Sequence, residues 1–179
     1  MDWILKKITD ITEAEYTAIY QNLSASRKAH IDRLQKANDK KRSLLATKLV
    51  RQLAPDGVLE TDEQGRPYLR NCPYYVSISH SHDGVACAVA EQPVGIDVEK
   101  IKPVRKALAD YICLPGEGDY VRPGNEIMIT DEQTLLRFFA VWTAKEAGYK
   151  KAGGTLLKID TLTLEKTTAV IDGYFITVC

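Results

Sequence analysis

The chain has 179 residues, 45% of them hydrophobic, with 24 Lys+Arg against 24 Asp+Glu and a formal net charge of zero. That length suits one large domain or two small intimate ones. The balanced charge gives no case for a nucleic acid or an anionic membrane surface as partner. The four cysteines, Cys72, Cys87, Cys113 and Cys179, form no CxxC pair, which argues against a zinc knuckle or disulfide framework and suits a reducing cytosol. Residues 1–7 hold too short an apolar run for a signal peptide, and no run approaches transmembrane length. A soluble, cytoplasmic protein is expected.

Residues 4–8 read as a first strand. Asp10 or Thr12 caps a helix through Leu23, with Glu13 and Glu15 favourable in its first turn. Ser24 caps a second helix over 25–35, and Asn38 or Asp39 a third over 40–53, which Pro55-Asp56-Gly57 ends. Arg42 stands out there. Leu45, Ala46, Leu49 and Leu53 follow it at i+3, i+4, i+7 and i+11, so it shares the core-facing stripe. A guanidinium in that place snorkels or finds an anion. Gln64-Gly65-Arg66-Pro67-Tyr68 is a turn into an extended segment, with Arg66 itself extended before the proline.

A meander is expected next. Residues 75–80 alternate apolar and polar, Asp83-Gly84 turns, 85–90 is small and buried, and Gln92-Pro93 leads into 94–99. Three antiparallel strands in that order put His80, Ser81 and His82 at the same rim as Glu99. The stretch Val94-Gly95-Ile96-Asp97-Val98-Glu99-Lys100 is the centre of the reading. Ile96 and Val98 face one side, Asp97 and Glu99 the other. Alternate strand residues lie roughly 6.5–7 Å apart, so both carboxylates reach one hard cation such as Mg²⁺; a half-buried strand with a solvated acidic face is the plainer alternative.

A helix is expected after Pro103, and a mobile loop over 114–125, rich in Gly and Pro. A long helix over 131–151 follows, capped by Thr130 or Asp131 and ended by Gly153-Gly154. Trp142, Glu146 and Lys150 recur on one of its stripes, and a Glu146–Lys150 pair is the simple explanation of those charges. The tail suggests two strands, 159–164 and 174–178, around Asp172-Gly173.

Three blocks carry a family resemblance: Ser77-Ile78-Ser79-His80-Ser81, then Val94-Gly95-Ile96-Asp97-Val98-Glu99-Lys100, then Trp142-Thr143-Ala144-Lys145-Glu146-Ala147-Gly148-Tyr149-Lys150. Gly65-Arg66-Pro67-Tyr68 is a weaker fourth. Together they resemble the 4′-phosphopantetheinyl transferases of the surfactin-synthetase-activating (Sfp) type. The resemblance spans roughly 24–154. It implies an α+β fold with antiparallel sheets and packed helices, in two similar halves, 1–100 and 101–179, about a pseudo-twofold axis with the active site between them. It implies Mg²⁺-dependent transfer of phosphopantetheine from coenzyme A to a serine of an apo carrier protein, with release of 3′,5′-ADP.

Carried over by motif, Asp97, Glu99 and Glu146 hold the metal. Lys150 meets the substrate phosphates. His80 contacts the pyrophosphate, with Ser79 nearby. Arg42 and Arg66 contact the nucleotide phosphates, and Arg27 and His30 loosely match further basic positions. Glu146, or a water on the metal, takes the serine proton. The expected partners are coenzyme A and an acidic carrier protein, which meets a basic and apolar surface at 102–111; no nucleic acid, no membrane and a monomeric chain are expected. The chain is short for the type, so trimmed C-terminal elements are expected. A phosphoesterase acting on coenzyme A or a nucleotide, and a non-catalytic coenzyme A or carrier-binding module, are the alternatives.

Overall fold

A computed structural model describes residues 1–152 and 155–179, which form two units, Met1–Val94 and Gly95–Cys179. The first opens with strand β1 (Asp2–Lys7). Helix α1 (Glu13–Gln21) starts at Thr12, whose hydroxyl accepts from Glu15 N while Glu15 Oε2 accepts from Thr12 N at 2.9 Å. That reciprocal pair satisfies two amides that a helix start leaves open. Helix α2 (Ala25–Arg33) starts at Ser24, whose Oγ accepts from Arg27 N. Helix α3 (Ala37–Leu53) begins earlier than its sequence suggests, after Lys36 and with no side-chain cap. Asp39 lies inside its first turn and takes Arg42 as partner instead of capping.

Helix α3 lays Leu45, Ala46, Leu49 and Val50 against the sheet of its unit. That sheet has the order β1-β5-β4 and is antiparallel, with β4 Tyr75–Ser81 and β5 Gly84–Ala90. A hairpin of β2 (Val58–Thr61) and β3 (Pro67–Arg70) stands beside it, turning at Gly65 with φ 83°. Glycine suits that left-handed position because it carries no Cβ.

The second unit opens with β6 (Ile96–Lys100). The expected meander does not form. Both edges of β5 are taken, by β1 and β4, so β6 finds no edge there. It pairs instead with β10 (Tyr174–Val178), Asp97 opposite Thr177 and Glu99 opposite Phe175. The shared rim inferred from the meander goes with it. Strand β9 (Thr167–Ile171) completes the sheet β6-β10-β9. The strand before the Asp172-Gly173 turn is thus 167–171, not 159–164. Asp172 and Gly173 have φ of 54° and 76°, the left-handed pair that a two-residue hairpin demands.

Between β6 and the last hairpin come β7 (Val104–Arg105), α4 (Lys106–Ile112), α5 (Pro115–Val121), β8 (Met128–Ile129) and α6 (Glu132–Ala152). The expected loop at 114–125 is therefore partly helical. Pro115 at the first helical position fixes φ, and Glu117 accepts from Leu114 N at 2.7 Å. Asp131 starts α6, accepting from Thr134 N at 2.8 Å; the Gly153-Gly154 stop lies outside the described residues. Phe138, Phe139 and Val141 make α6 the core helix of this unit. Each unit runs the same way: its first strand pairs with its last, and its penultimate strand lies outside the last.

Gly95 lets β6 meet α6 at backbone distance. A Cβ there would overlap Ala147 O, and lie 2.8 Å from Ala147 C and 2.9 Å from Lys151 N. Gly95→Ala is expected to cost on the order of 3 kcal/mol through overpacking against rigid backbone. Gly124→Ala, with open space around its Cβ, is the control. Denaturant melts of both variants check this; a Gly95→Ala protein as stable as the control would contradict it.

Candidate active site

In the first unit, a cleft of about 460 Å³ gathers Arg27, His30, Arg42 and His80, with Pro67 and Ile78 among its apolar lining. Alternation along β4 explains His80: it is exposed, while Ser79 is buried on the opposite strand face. Ser79 does not line this cleft, and Arg66 is an exposed residue on the turn between two lining residues, Gly65 and Pro67. Arg42 is held as its place on the stripe suggested. Its Nη1 donates to Asp39 Oδ1 at 2.7 Å and its Nε to the His82 carbonyl at 2.7 Å. His82 sits at φ 53°, and its carbonyl takes Nη2 of Arg42 as well.

Arg27 is 7% exposed. Its Nη2 donates to Ser43 Oγ at 2.8 Å and Ser43 O at 3.2 Å, and its Nε to Thr47 Oγ1 at 3.3 Å. Nη1 reaches Thr61 Oγ1 at 3.4 Å. These acceptors are all neutral, so a buried cation faces the cleft without a carboxylate on it. Burial lowers its pKa. Burial also lowers the His30 imidazole, with Arg27 and Arg33 adding repulsion. Asp39, which pairs with Arg42, lines the same cleft; a buried guanidinium such as that of Arg27 is suited to an anion.

In the second unit, Ile96 and Val98 are fully buried as their alternation predicts. Asp97 is not on a solvated face: it is 4% exposed. Lys150 Nζ lies 2.8 Å from Asp97 Oδ1 and 3.1 Å from the Ile96 carbonyl. The simple Glu146–Lys150 pair gives way to this one, because α6 meets β6 closely at Gly95. Glu99 and Glu146 are half-buried. Among the described residues no group of three or more His, Cys, Asp or Glu is gathered as a metal site; the Lys150 ammonium stands at Asp97.

The sequence reading gave no role to Lys145 or Glu117. They form an ion pair at 2.8 Å, 0% and 1% exposed. The spacing of Phe138, Val141 and Lys145, at i, i+3 and i+7 on the core stripe, was the available signal. Burial alone would raise the Glu117 carboxyl, but hydrogen bonds from Lys145, Thr161 and Leu114 hold it below its ordinary value. Burial pushes Cys113 up to about 11 and also raises Cys87 and Cys179.

The first unit carries a basic cleft and the second a buried carboxylate paired with lysine, both in an α+β fold. Residues 93–171 match the family described as the 4′-phosphopantetheinyl transferase superfamily. The chain is 31% identical over 140 residues to the 4′-phosphopantetheinyl transferase psf-1 of Bacillus pumilus, covering 73% of this chain and 58% of that protein. It is 31% identical over 152 residues to a 4′-phosphopantetheinyl transferase of Bacillus subtilis, covering 79% and 66%. To 4′-phosphopantetheinyl transferase Sfp of Bacillus subtilis (strain 168) it is 29% identical over 164 residues, covering 86% and 71%. The chain is thus related to the 4′-phosphopantetheinyl transferases, and it spans 58% and 66% of the length of the first two of these relatives.

His30 supplies a test of the cleft. Its folded pKa lies below the ordinary 6.5, so the unfolded chain binds more protons at this site. Its contribution to stability is full above 6.5 and is lost as pH falls from there through the lowered folded value. Imidazole NMR titration is expected to show the lowered value in the free protein and an upward move when 3′,5′-ADP is added. A His30 titration that the nucleotide leaves in place would remove it from the anion site.

Proposed function

We propose that this protein transfers 4′-phosphopantetheine from coenzyme A to a serine of an apo carrier protein. The observation that carries this reading is the Lys150–Asp97 contact at 2.8 Å. It joins the two most specific motif blocks, one on β6 and one on α6, in a unit that matches the transferase superfamily. The first unit would hold the nucleotide end through Arg27, His30, Arg42 and His80, with Arg66 adding reach from its loop. Two similar halves, implied by the motifs, are part of the same proposal.

The donors fit Mg²⁺ by chemistry, since Asp97, Glu99 and Glu146 offer only carboxylate oxygens, the ligands a hard cation takes. Those three residues would hold it. When bound, the ion would neutralise pyrophosphate charge. Lys150 would bring a cation to the transferring phosphate, and its tie to Asp97 would keep it oriented. Glu146 would accept the serine proton. The serine oxygen then bonds to the phosphorus of the phosphopantetheine arm, and the bond from that phosphorus to the bridging oxygen breaks. The 3′,5′-ADP leaves with the electron pair. His80 and the arginines would stabilise the charge it carries.

The carrier surface would lie on α4 and α5. Leu108 and Tyr111 are exposed, Tyr111 at 70%, while Val104, Ala109 and Ile112 take the core side of their segment. An ordinary amphipathic helix would have hidden those two side chains. Lys106 is engaged by Asp110 at 2.7 Å, which leaves Lys102 and Arg105 as the basic rim.

Intact mass tests the reaction. Purified apo carrier proteins incubated with the protein, coenzyme A and Mg²⁺ are expected to gain one phosphopantetheine on one serine. Asp97→Ala is expected to lower kcat at least a hundredfold, since its contact supports the transition state. Coenzyme A hydrolysis with no mass gain on any carrier would favour a phosphoesterase. A second set of assays addresses the partner surface. Lys102→Glu/Arg105→Glu is expected to raise KM for the carrier several-fold and flatten its salt dependence, leaving KM for coenzyme A unchanged. No change towards the carrier would place docking elsewhere.

A further inference from the structure

The Glu117–Lys145 pair is the most completely enclosed charged group among the described residues, and the proposed reaction does not use it. Glu117 Oε2 meets Lys145 Nζ at 2.8 Å and accepts from Leu114 N at 2.7 Å. Glu117 Oε1 accepts from Thr161 N at 2.9 Å and Thr161 Oγ1 at 2.7 Å. Lys145 Nζ donates on to the Ile159 carbonyl at 2.6 Å. Three separate segments thus meet at one ion pair: the start of α5, the middle of α6 and residues 159–161.

A buried pair of this kind is poor as a source of stability. Desolvation of both charges offsets much of their attraction, and a hydrophobic pair of similar volume serves as well or better. What it supplies is directionality, because each oxygen has a fixed set of donors. The residue after Lys145 is Glu146. The residue after that, Ala147, is the backbone contact of Gly95. Thr143, two residues before Lys145, is hydrogen-bonded to Thr177 at 2.6 Å. Glu146 therefore sits in a turn of α6 whose neighbours are tied on two sides, Ala147 and Thr143 to β6 and β10 and Lys145 to α5. On the other side of the pair, α5 buries Glu117 at 1% and exposes Tyr120 at 45%.

We propose that the Glu117–Lys145 ion pair is a positioning pair. It holds α5, part of the carrier-docking surface, in register with Glu146, so that a docked carrier presents its serine at the proton acceptor. This rests on the transferase reading and adds a role for two residues that would touch neither substrate. Loss of the pair changes the chemical step with the carrier and leaves coenzyme A binding alone.

The test uses the full chain with Glu117→Gln/Lys145→Met, which removes both charges together. Thr161→Val is the milder second variant: it deletes one hydrogen bond to Glu117 and leaves the charges in place. Two readouts run in parallel. In the double variant kcat is expected to fall tenfold or more at saturating carrier, with KM for coenzyme A within twofold of wild type. Thr161→Val is expected to lose two- to fivefold in kcat. Amide exchange is expected to speed up at least tenfold in α5 and 159–161, while β6 and β10 keep their protection. Unchanged kcat in a double variant with faster α5 exchange would make the pair merely structural and overturn the proposal. Unchanged exchange in both variants would overturn it as well. A wild-type protein that modifies no carrier would instead defeat the transferase reading, and the exchange data would still report on the coupling.

Discussion

The second unit depends on one close approach. At Gly95 the first residues of β6 run against the backbone of α6 with no room for a Cβ. Helices and sheets usually meet through side chains, about 10 Å apart. Here the missing side chain draws the strand towards the carbonyl of Ala147. Gly95 N and O both pair with Cys179, at 2.9 and 3.0 Å, so the strand cannot retreat on its other side. Because of this approach Lys150 reaches over to Asp97 and to the Ile96 carbonyl. Glycine here supplies proximity, and its backbone freedom is incidental.

The charges follow from that geometry. Asp97 is taken almost wholly out of water, which a carboxylate tolerates only beside a compensating cation or hydrogen-bond donors. Lys150 meets that need. In the first unit Arg27 is buried among hydroxyls and a carbonyl, and His30, Arg42 with its partner Asp39, and His80 line the same cleft. Each unit therefore carries local charge that the zero net balance of the whole chain conceals.

Much of the secondary structure was legible because its signals are local. Thr12 and Ser24 cap where their side chains predict, Asp131 starts α6, and the alternation of Ile96 and Val98 gives the correct buried face. What failed was long-range. Alternation tells which face of 94–100 is buried but not which strand lies beside it, and β10 comes more than seventy residues later. Glycine and proline at 114–125 suggested a loop, whereas Glu117 caps α5 at Leu114 N and meets a buried partner, Lys145, that lies far along the chain. The stripe that carried Arg42 to the cleft was visible in its spacing. The choice of Asp97 over Glu146 as the partner of Lys150 was not, because i,i+4 spacing is local and the winning contact crosses to a strand.

Paramagnetic relaxation by Mn²⁺, standing in for Mg²⁺, reports most directly on whether the β6–α6 junction is the reaction centre. With coenzyme A present, substoichiometric Mn²⁺ is expected to broaden the amide signals of 96–99 and 145–150 first, and Asp97→Ala is expected to abolish that selectivity. Broadening centred elsewhere, with β6 signals sharp in the presence of coenzyme A, would contradict the assignment of Asp97, Glu99 and Glu146 to the metal.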